Sequence, residues 1–562
     1  MAIIDDRDPP FTTETSDSQN SRRFHPRHYL FSLLIFGLVV LVSGAASRLV
    51  THDDRNVLEG ARVCRDHPAL MAQYRKLIEA DFRNLDNHRG YLDAHLSISK
   101  IKRNRSSANS RNDKAIVDQY VFYTKSSDLK VRDIGNYGLG YFYARDHQPQ
   151  KALGFLRKIS DPKMAYLNNT LGYIYLYDIK RPDLAKDYFL KEISLKGNIR
   201  AAVLNLSKLF WEGGKYRDLD SLSHDANLGS FFPIHYLRYL QLEEKRYPDY
   251  FLSLCKTEFN FVTFETLLTS LVIALVFLVY VYFIDVFEKE KISLLVVIFS
   301  MGILSAFLST FFYDLASAFF NYFSTGDDLH DLGYFIFGVG LIEETSKALP
   351  VLIVVFLLKE WSEPVDILIY AAVSALGFAC MENVGYFSGG SAGLIMGRTL
   401  SAVVMHVCLT TLAVYGIFYY RHGKGSLGSV YIFASFAAAV LAHGLYDFFI
   451  ASSMGLGILS TVILIYMMII FRNMIENGLD QSPGLGSTPL TVNLSVYLFY
   501  GLLAILSMQF SILGVRYGLP LSLRNLWSNL LGFYILSAIL ISGFGKMRLV
   551  KNKWRSLFDR ST

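Results

Sequence analysis

The stretch GLIEETSKALPVLIVVF, Gly340 to Phe356, places two glutamates and a lysine inside an apolar run that extends from Leu332 to Leu358. An ionisable side chain near the middle of a bilayer costs about 3 kcal/mol even on the lenient insertion scale, so it persists where it faces a polar interior or does chemistry. Glu343, Glu344 and Lys347 therefore mark the run as a membrane-spanning helix with a functional face. Working outward, similar runs carry Glu382, His406, His443 and Asp447. A membrane-embedded acid/base site is the natural reading.

The rest of the chain has the composition of a polytopic membrane protein. Its 562 residues are 52% hydrophobic and only 19% charged, and the mean hydropathy is +0.29, too apolar for an ordinary soluble protein. A hydrocarbon layer about 30 Å thick takes roughly 20 apolar residues in a helix. Runs near that length lie at Tyr29–Val50, Val262–Ile284, Ile292–Tyr313, Leu332–Leu358, Asp366–Phe387, Gly397–Tyr420, Gly428–Ile450, Leu456–Ile475, Val492–Val515 and Leu526–Gly545. The expected fold is all-α, with about ten spans.

Lys and Arg are retained on the cytoplasmic side of a membrane. Both tails read as cytoplasmic, from Arg22, Arg23 and Arg27 at one end and Lys546, Arg548, Lys551, Lys553 and Arg555 at the other. Alternate loops agree through Lys289 with Lys291, Lys359, Arg421 with Lys424, and Arg472, whereas Arg516 and Arg524 dissent. The net charge of +6 is then a topology signal with lipid attraction at the tails, and no nucleic-acid partner is expected. This places a multi-pass protein in the cytoplasmic membrane. The first run is also readable as a signal-peptide core ending in Gly44-Ala45-Ala46; its length favours an uncleaved anchor.

The expected organisation is a disordered cytoplasmic tail at 1–28, an anchor at 29–50 and an extracytoplasmic helical-repeat domain at 51–258. A catalytic core at 262–475, two further spans at 476–545 and a basic cytoplasmic tail at 546–562 follow. In the exported domain Leu139-Gly140-Tyr141-Phe142-Tyr143 and Leu171-Gly172-Tyr173-Ile174-Tyr175 each precede a turn with Pro149 or Pro182. Lys151-Ala152-Leu153 or Leu184-Ala185-Lys186 then opens a second helix, and a weaker copy runs from Leu206 to Leu222. A period a little over thirty is near that of tetratricopeptide or Sel1-like helix pairs. Lys102 to Asn112 reads as an exposed loop. Cys64 and Cys255 share the exported side, where they can form a disulfide or remain two free thiols.

Helical geometry lets Lys347 reach Glu343 four residues back or Glu344 three back. If it neutralises one, the other is left beside a like charge in a low dielectric, in the manner of a general base. Glu382 and Asn383 lie one turn after Phe378, and Glu382 can also pair with Arg398. His406 stands alone in its run. His443 and Asp447 are four apart, on one face, so Asp447 can orient the imidazole. At 1.5 Å per residue, Glu343, Glu382, His406 and His443 lie roughly 16, 7, 13 and 10 Å from the exported ends of their spans. Polar groups at similar depth on antiparallel helices point to a shared cavity.

The order EExxK (Glu343, Glu344, Lys347), FxxxEN (Phe378, Glu382, Asn383), a solitary intramembrane histidine (His406) and HxxxD (His443, Asp447) resembles the PrsW family of intramembrane proteases. These are distant relatives of the type II CAAX prenyl endopeptidases within the CPBP superfamily. Glu363-Pro364-Val365-Asp366 is also similar to that family, and the resemblance covers about Phe264 to Arg472. It implies peptide hydrolysis inside the membrane. Glu343 with His406 would activate a water, Glu344 and Lys347 would shape the site, Glu382 would join the catalytic set, and His443, held by Asp447, would stabilise the oxyanion or complete the polar cage, the roles of the two histidines being interchangeable at this point. The implied partner is a membrane-anchored protein, of which anti-sigma factors are the family's associated kind. No cofactor is assigned. Zinc stays open, with Glu344, Glu382, His406 and His443 as candidate ligands, although HExxH is absent. The rival readings are a proton-coupled transporter, which should show paired halves, and a non-catalytic membrane binding or regulatory protein.

Overall fold

The computed structural model describes residues 26–49, 54–103, 110–320, 322–423, 428–452 and 455–558. Most of the expected disordered tail therefore lies outside the described residues, and Pro26 to His28 already belong to the first helix. The chain divides into two units, residues 51–257 and the remainder.

The unit at 51–257 is built of short helices, Leu129–Arg145, Pro149–Leu156, Pro182–Ser194, Ile199–Glu212 and Tyr216–His224 among them. Left-handed residues at His147, Lys180, Gly214 and Lys245 follow alternate helices at intervals of 33, 34 and 31 residues. Tyr166, another residue with positive φ, is held by Glu192. That buried carboxylate accepts from the backbone N–H groups of Tyr166, Asn168, Asn169 and Asn198 at 2.7 to 3.2 Å, the charge-assisted kind of bond that supports a strained turn. The expected loop at Lys102–Asn112 is helical at both ends, because one helix runs to Arg103 and the next starts at Ser110; residues 104–109 lie outside the description. Cys64 and Cys255 are free thiols.

The second unit is built mainly of long helices. We label them α1 Pro26–Leu49, α2 Phe264–Ile284, α3 Ile292–Phe320, α4 Leu341–Leu352, α5 Asp366–Gly389, α6 Ala392–Leu400, α7 Ala402–His422, α8 Gly428–Ala451, α9 Gly457–Asp480, α10 Ser495–Tyr517 and α11 Leu519–Phe544. Eight of the described helices are long and apolar enough to cross a membrane, α6 and α7 counting as one. The sequence suggested about ten. Of the other two, the first is α1, whose apolar part is short. The second is the charged run itself, where π-helical turns at Tyr334–Gly340 and Ile353–Leu358 flank α4. The expected span at Gly397–Tyr420 starts earlier and breaks at Ser401, so α6 and α7 are separate segments.

Helices α5 and α7 form the centre, buried over most of their length, with α2, α3, α8 and α9 packed around them. Small residues set the crossings. A Cβ on Gly377 of α5 would lie 2.1 Å from Phe299 O of α3, and one on Gly302 would lie 2.2 Å from Ser374 O. Only glycine permits backbones so close, as is usual where helices associate without a solvent-driven hydrophobic force.

Two boundaries differ from the sequence reading. Helix α9 runs five residues past Ile475 because its polar end is buried against the C-terminal segment: Arg555 Nε lies 2.9 Å from Glu476, and Asp480 pairs with Arg555 and accepts from Val550 N–H at 2.6 Å. The fold is also not purely α. Leu490–Asn493 (β1) and Lys546–Leu549 (β2) pair antiparallel, Thr491 opposite Arg548, so the start of the basic tail is a strand.

Candidate active site

The approach of α4 to α8 is what brings glutamates to a histidine. A Cβ on Gly340, just before α4, would lie 2.6 Å from Val440 O, and one on Gly444 would lie 2.4 Å from Ile336 Cα. With the backbones this close, Glu343 and Glu344 reach into the space between α4, α7 and α8.

Glu344 is the buried anchor. One oxygen accepts from His443 Nδ1 at 2.7 Å and pairs with Lys347 Nζ at 2.6 Å, and the other accepts from Thr410 Oγ1 at 2.9 Å. Lys347, fully buried, also lies 3.3 Å from Glu343 Oε2 and 3.0 Å from His406 Nδ1. The sequence reading had it neutralise one carboxylate; it bridges both, since positions three and four back face the same side. Glu343 turns toward the open space. Its Oε1 accepts from Tyr313 Oη at 2.7 Å, while Oε2 faces His443 Nε2 at 3.5 Å and His406 Nδ1 at 3.9 Å.

His406 is held from the other side. Its Nε2 lies 2.8 Å from Glu382 Oε2, and the same oxygen takes Arg398 Nη2 at 2.7 Å. Glu382 thus pairs with Arg398 and lines the cavity at the same time. Asn383 stands one step back, accepting from Arg398 Nε at 2.7 Å. The imidazoles of His406 and His443 meet edge to face with centroids 5.5 Å apart. Asp447 lies 3.3 Å from His443 Nε2, longer than the Glu344 contact on the opposite nitrogen. The residue that most closely orients His443 is therefore Glu344, where the sequence pointed to Asp447.

A cavity of about 780 Å³ opens onto this cluster, lined by Tyr313, Glu343, Glu382, His406, His443 and Asp447 among others. Glu344 and Lys347 support it from behind. Two partners escaped the sequence reading. Tyr313 is one of many aromatics in an apolar helix, and Thr410 is a hydroxyl inside a buried one; no spacing singles either out.

One donor atom each from Glu343, His406 and His443 lies within 4.8 Å of the others, a grouping that can hold a metal ion. This differs from the expected set: both oxygens of Glu344 and Oε2 of Glu382 already have hydroxyl, cationic or imidazole partners. The donor chemistry fits. Each histidine has one nitrogen held by a carboxylate, the arrangement that orients metal-ligating imidazoles, and two His with one carboxylate is a known catalytic zinc set. Four carboxylates face only two fixed cations, Lys347 and Arg398, so the cage has room for further positive charge.

Residues 290–474, which contain all of these groups except the cavity's outer rim, match the family model described as PrsW family intramembrane metalloprotease. Protease PrsW of Geobacillus kaustophilus is 28% identical over 170 residues, 30% of this chain and 72% of that protein. Protease PrsW of Clostridioides difficile is 28% identical over 194 residues, 34% of this chain and 79% of that protein. Protease PrsW of Bacillus subtilis is 23% identical over 175 residues, covering 31% and 77%. No solved structure matches.

Proposed function

We propose that residues 290–474, which match the PrsW family model, form an intramembrane protease domain, and that the chain hydrolyses a peptide bond of a membrane-anchored protein at the cluster of Glu343, His406 and His443. The observation that carries this reading is their convergence within 4.8 Å at the wall of the cavity. Amide hydrolysis needs a base for water, a donor for the oxyanion and a proton for the leaving amine.

Glu343 presents Oε2 to the cavity while Tyr313 fixes Oε1, which leaves one carboxylate oxygen to take the water proton. The water oxygen bonds to the carbonyl carbon, the C–N bond breaks, and that proton leaves with the amine. His443 sits where it supports the developing oxyanion, with Glu344 holding its ring. His406, braced by Glu382 and Arg398, closes the opposite wall. A divalent metal, if bound, would be held by Glu343, His406 and His443 and would acidify its own water, relieving Glu343 of the role of base.

The protein spans a membrane many times; that it lies in the cytoplasmic membrane with residues 51–257 outside is part of this proposal, supported by the loop charges. So is the substrate's kind, a regulator of the anti-sigma type whose outer domain the helical unit receives. Removal of residues 60–250 should then impair cleavage of a full-length substrate. The central test is cleavage of such a substrate in liposomes. Glu343→Gln, His406→Ala and His443→Ala should each slow it by about 10²-fold or more; survival of cleavage in all three, with the proteins folded, overturns the proposal.

A further inference from the structure

Lys347 stands where a second cation would have to go. Its ammonium touches Glu344 Oε1 at 2.6 Å, His406 Nδ1 at 3.0 Å and Glu343 Oε2 at 3.3 Å, with the Phe378 ring centroid 4.7 Å away. An ammonium has three protons to donate and no lone pair, so these contacts use it fully. With Nε2 turned to Glu382 as its donor, His406 has a single lone pair, on Nδ1, and Lys347 takes it. His406 and Glu343 are two of the three side chains able to hold a metal.

One lone pair cannot serve an ammonium and a metal together, and like charges a few ångströms apart in a dry interior repel strongly. Resting on the reading of this cluster as the protease centre, we infer that Lys347 is a built-in competitor for a divalent metal, which enters only as the ammonium gives up His406 and Glu343 and retreats onto Glu344. Glu344 suits that retreat, since it already makes the shortest of the three contacts and lies behind the cavity wall. Lys347 is therefore a positioning residue that sets metal affinity. In the metal-free protein it keeps His406 and Glu343 in place; in the loaded protein it neutralises Glu344. The donors alone would bind an ion more tightly than the chain allows.

The test uses the full chain in lipid nanodiscs, titrated with Co²⁺ and followed by its d–d absorption, with Zn²⁺ as competitor. Lys347→Met should bind Co²⁺ at least about tenfold tighter than wild type, and Zn²⁺ should raise its melting temperature more. Lys347→Arg, which keeps the charge, should bind no tighter than wild type. Because Lys347→Met leaves buried carboxylates without their cation and is at risk of not folding, the charge-balanced pair Lys347→Met with Glu344→Gln provides a second comparison, against Glu344→Gln alone. Co²⁺ binding no tighter in either lysine-free protein than in its lysine-bearing parent overturns the inference, as does Co²⁺ binding that survives His406→Ala. Failure of the protease reading shows elsewhere, as cleavage that persists in Glu343→Gln.

Discussion

Replacing Gly444 by alanine should cripple catalysis without touching a charged group. The added Cβ would lie 2.4 Å from Ile336 Cα and 2.6 Å from Ile336 N, and both are backbone atoms that cannot rotate away. Carbon atoms settle at about 3.5–4.0 Å, so α8 must retreat from the segment before α4 by roughly 1 Å. His443 is the preceding residue, and its Nδ1 is 2.7 Å from Glu344 Oε1. A shift of that size takes the contact to roughly 3.7 Å, beyond hydrogen-bonding range. Overpacking of this kind costs about 1–3 kcal/mol, which a large helical bundle survives, whereas misplacement by 1 Å costs about 10²-fold in rate. The assay is liposomal cleavage with a thermal melt on the same preparation. An unchanged rate in a folded Gly444→Ala protein refutes the idea that this crossing sets the geometry of the site.

Tyr313→Phe removes the hydroxyl that donates to Glu343 Oε1; a hydrogen bond to a charged group is worth about 1.5–3 kcal/mol, so kcat/KM should fall roughly tenfold to a hundredfold, and an unchanged value would show that Glu343 is held by other means. Asp285, in the loop after α2, has Oδ1 buried without a partner, and burial pushes its carboxyl up to about 6. A carboxyl raised in the folded state contributes stability that is complete below about pH 4 and lost as pH rises through about 6. Asp285→Asn keeps an acceptor for Glu290 N–H, so it should stabilise the protein by about 1–3 kcal/mol at pH 7.5 and hardly at all at pH 4. Equal effects at both pH values in paired melts would count against the buried charge as the cause.

Much of the site was legible because a charge in an apolar run is expensive and therefore conspicuous. Glu343, Glu344, Lys347, Glu382, His406 and His443 stand out against their surroundings, and spacings of three and four residues put the members of each helix on one face. Eight of the ten expected spans were legible for the same reason, since hydrocarbon thickness dictates the length of an apolar helix. The β1–β2 pair was not, because four-residue strands carry too short a pattern to separate from a loop.

From the chain's order of residues alone comes the inventory: which polar groups interrupt the apolar runs, and on which helix, as consequences of local periodicity and desolvation cost. Who holds whom is a matter of how the helices pack. That Glu344 orients His443 at 2.7 Å while Asp447 lies at 3.3 Å, that Lys347 bridges both glutamates, and that Tyr313 from the preceding helix fixes Glu343 depend on how closely backbones cross. Those crossings are set by glycines at 302, 340, 377 and 444, whose effect is the absence of a side chain, felt only by the helix that packs against them.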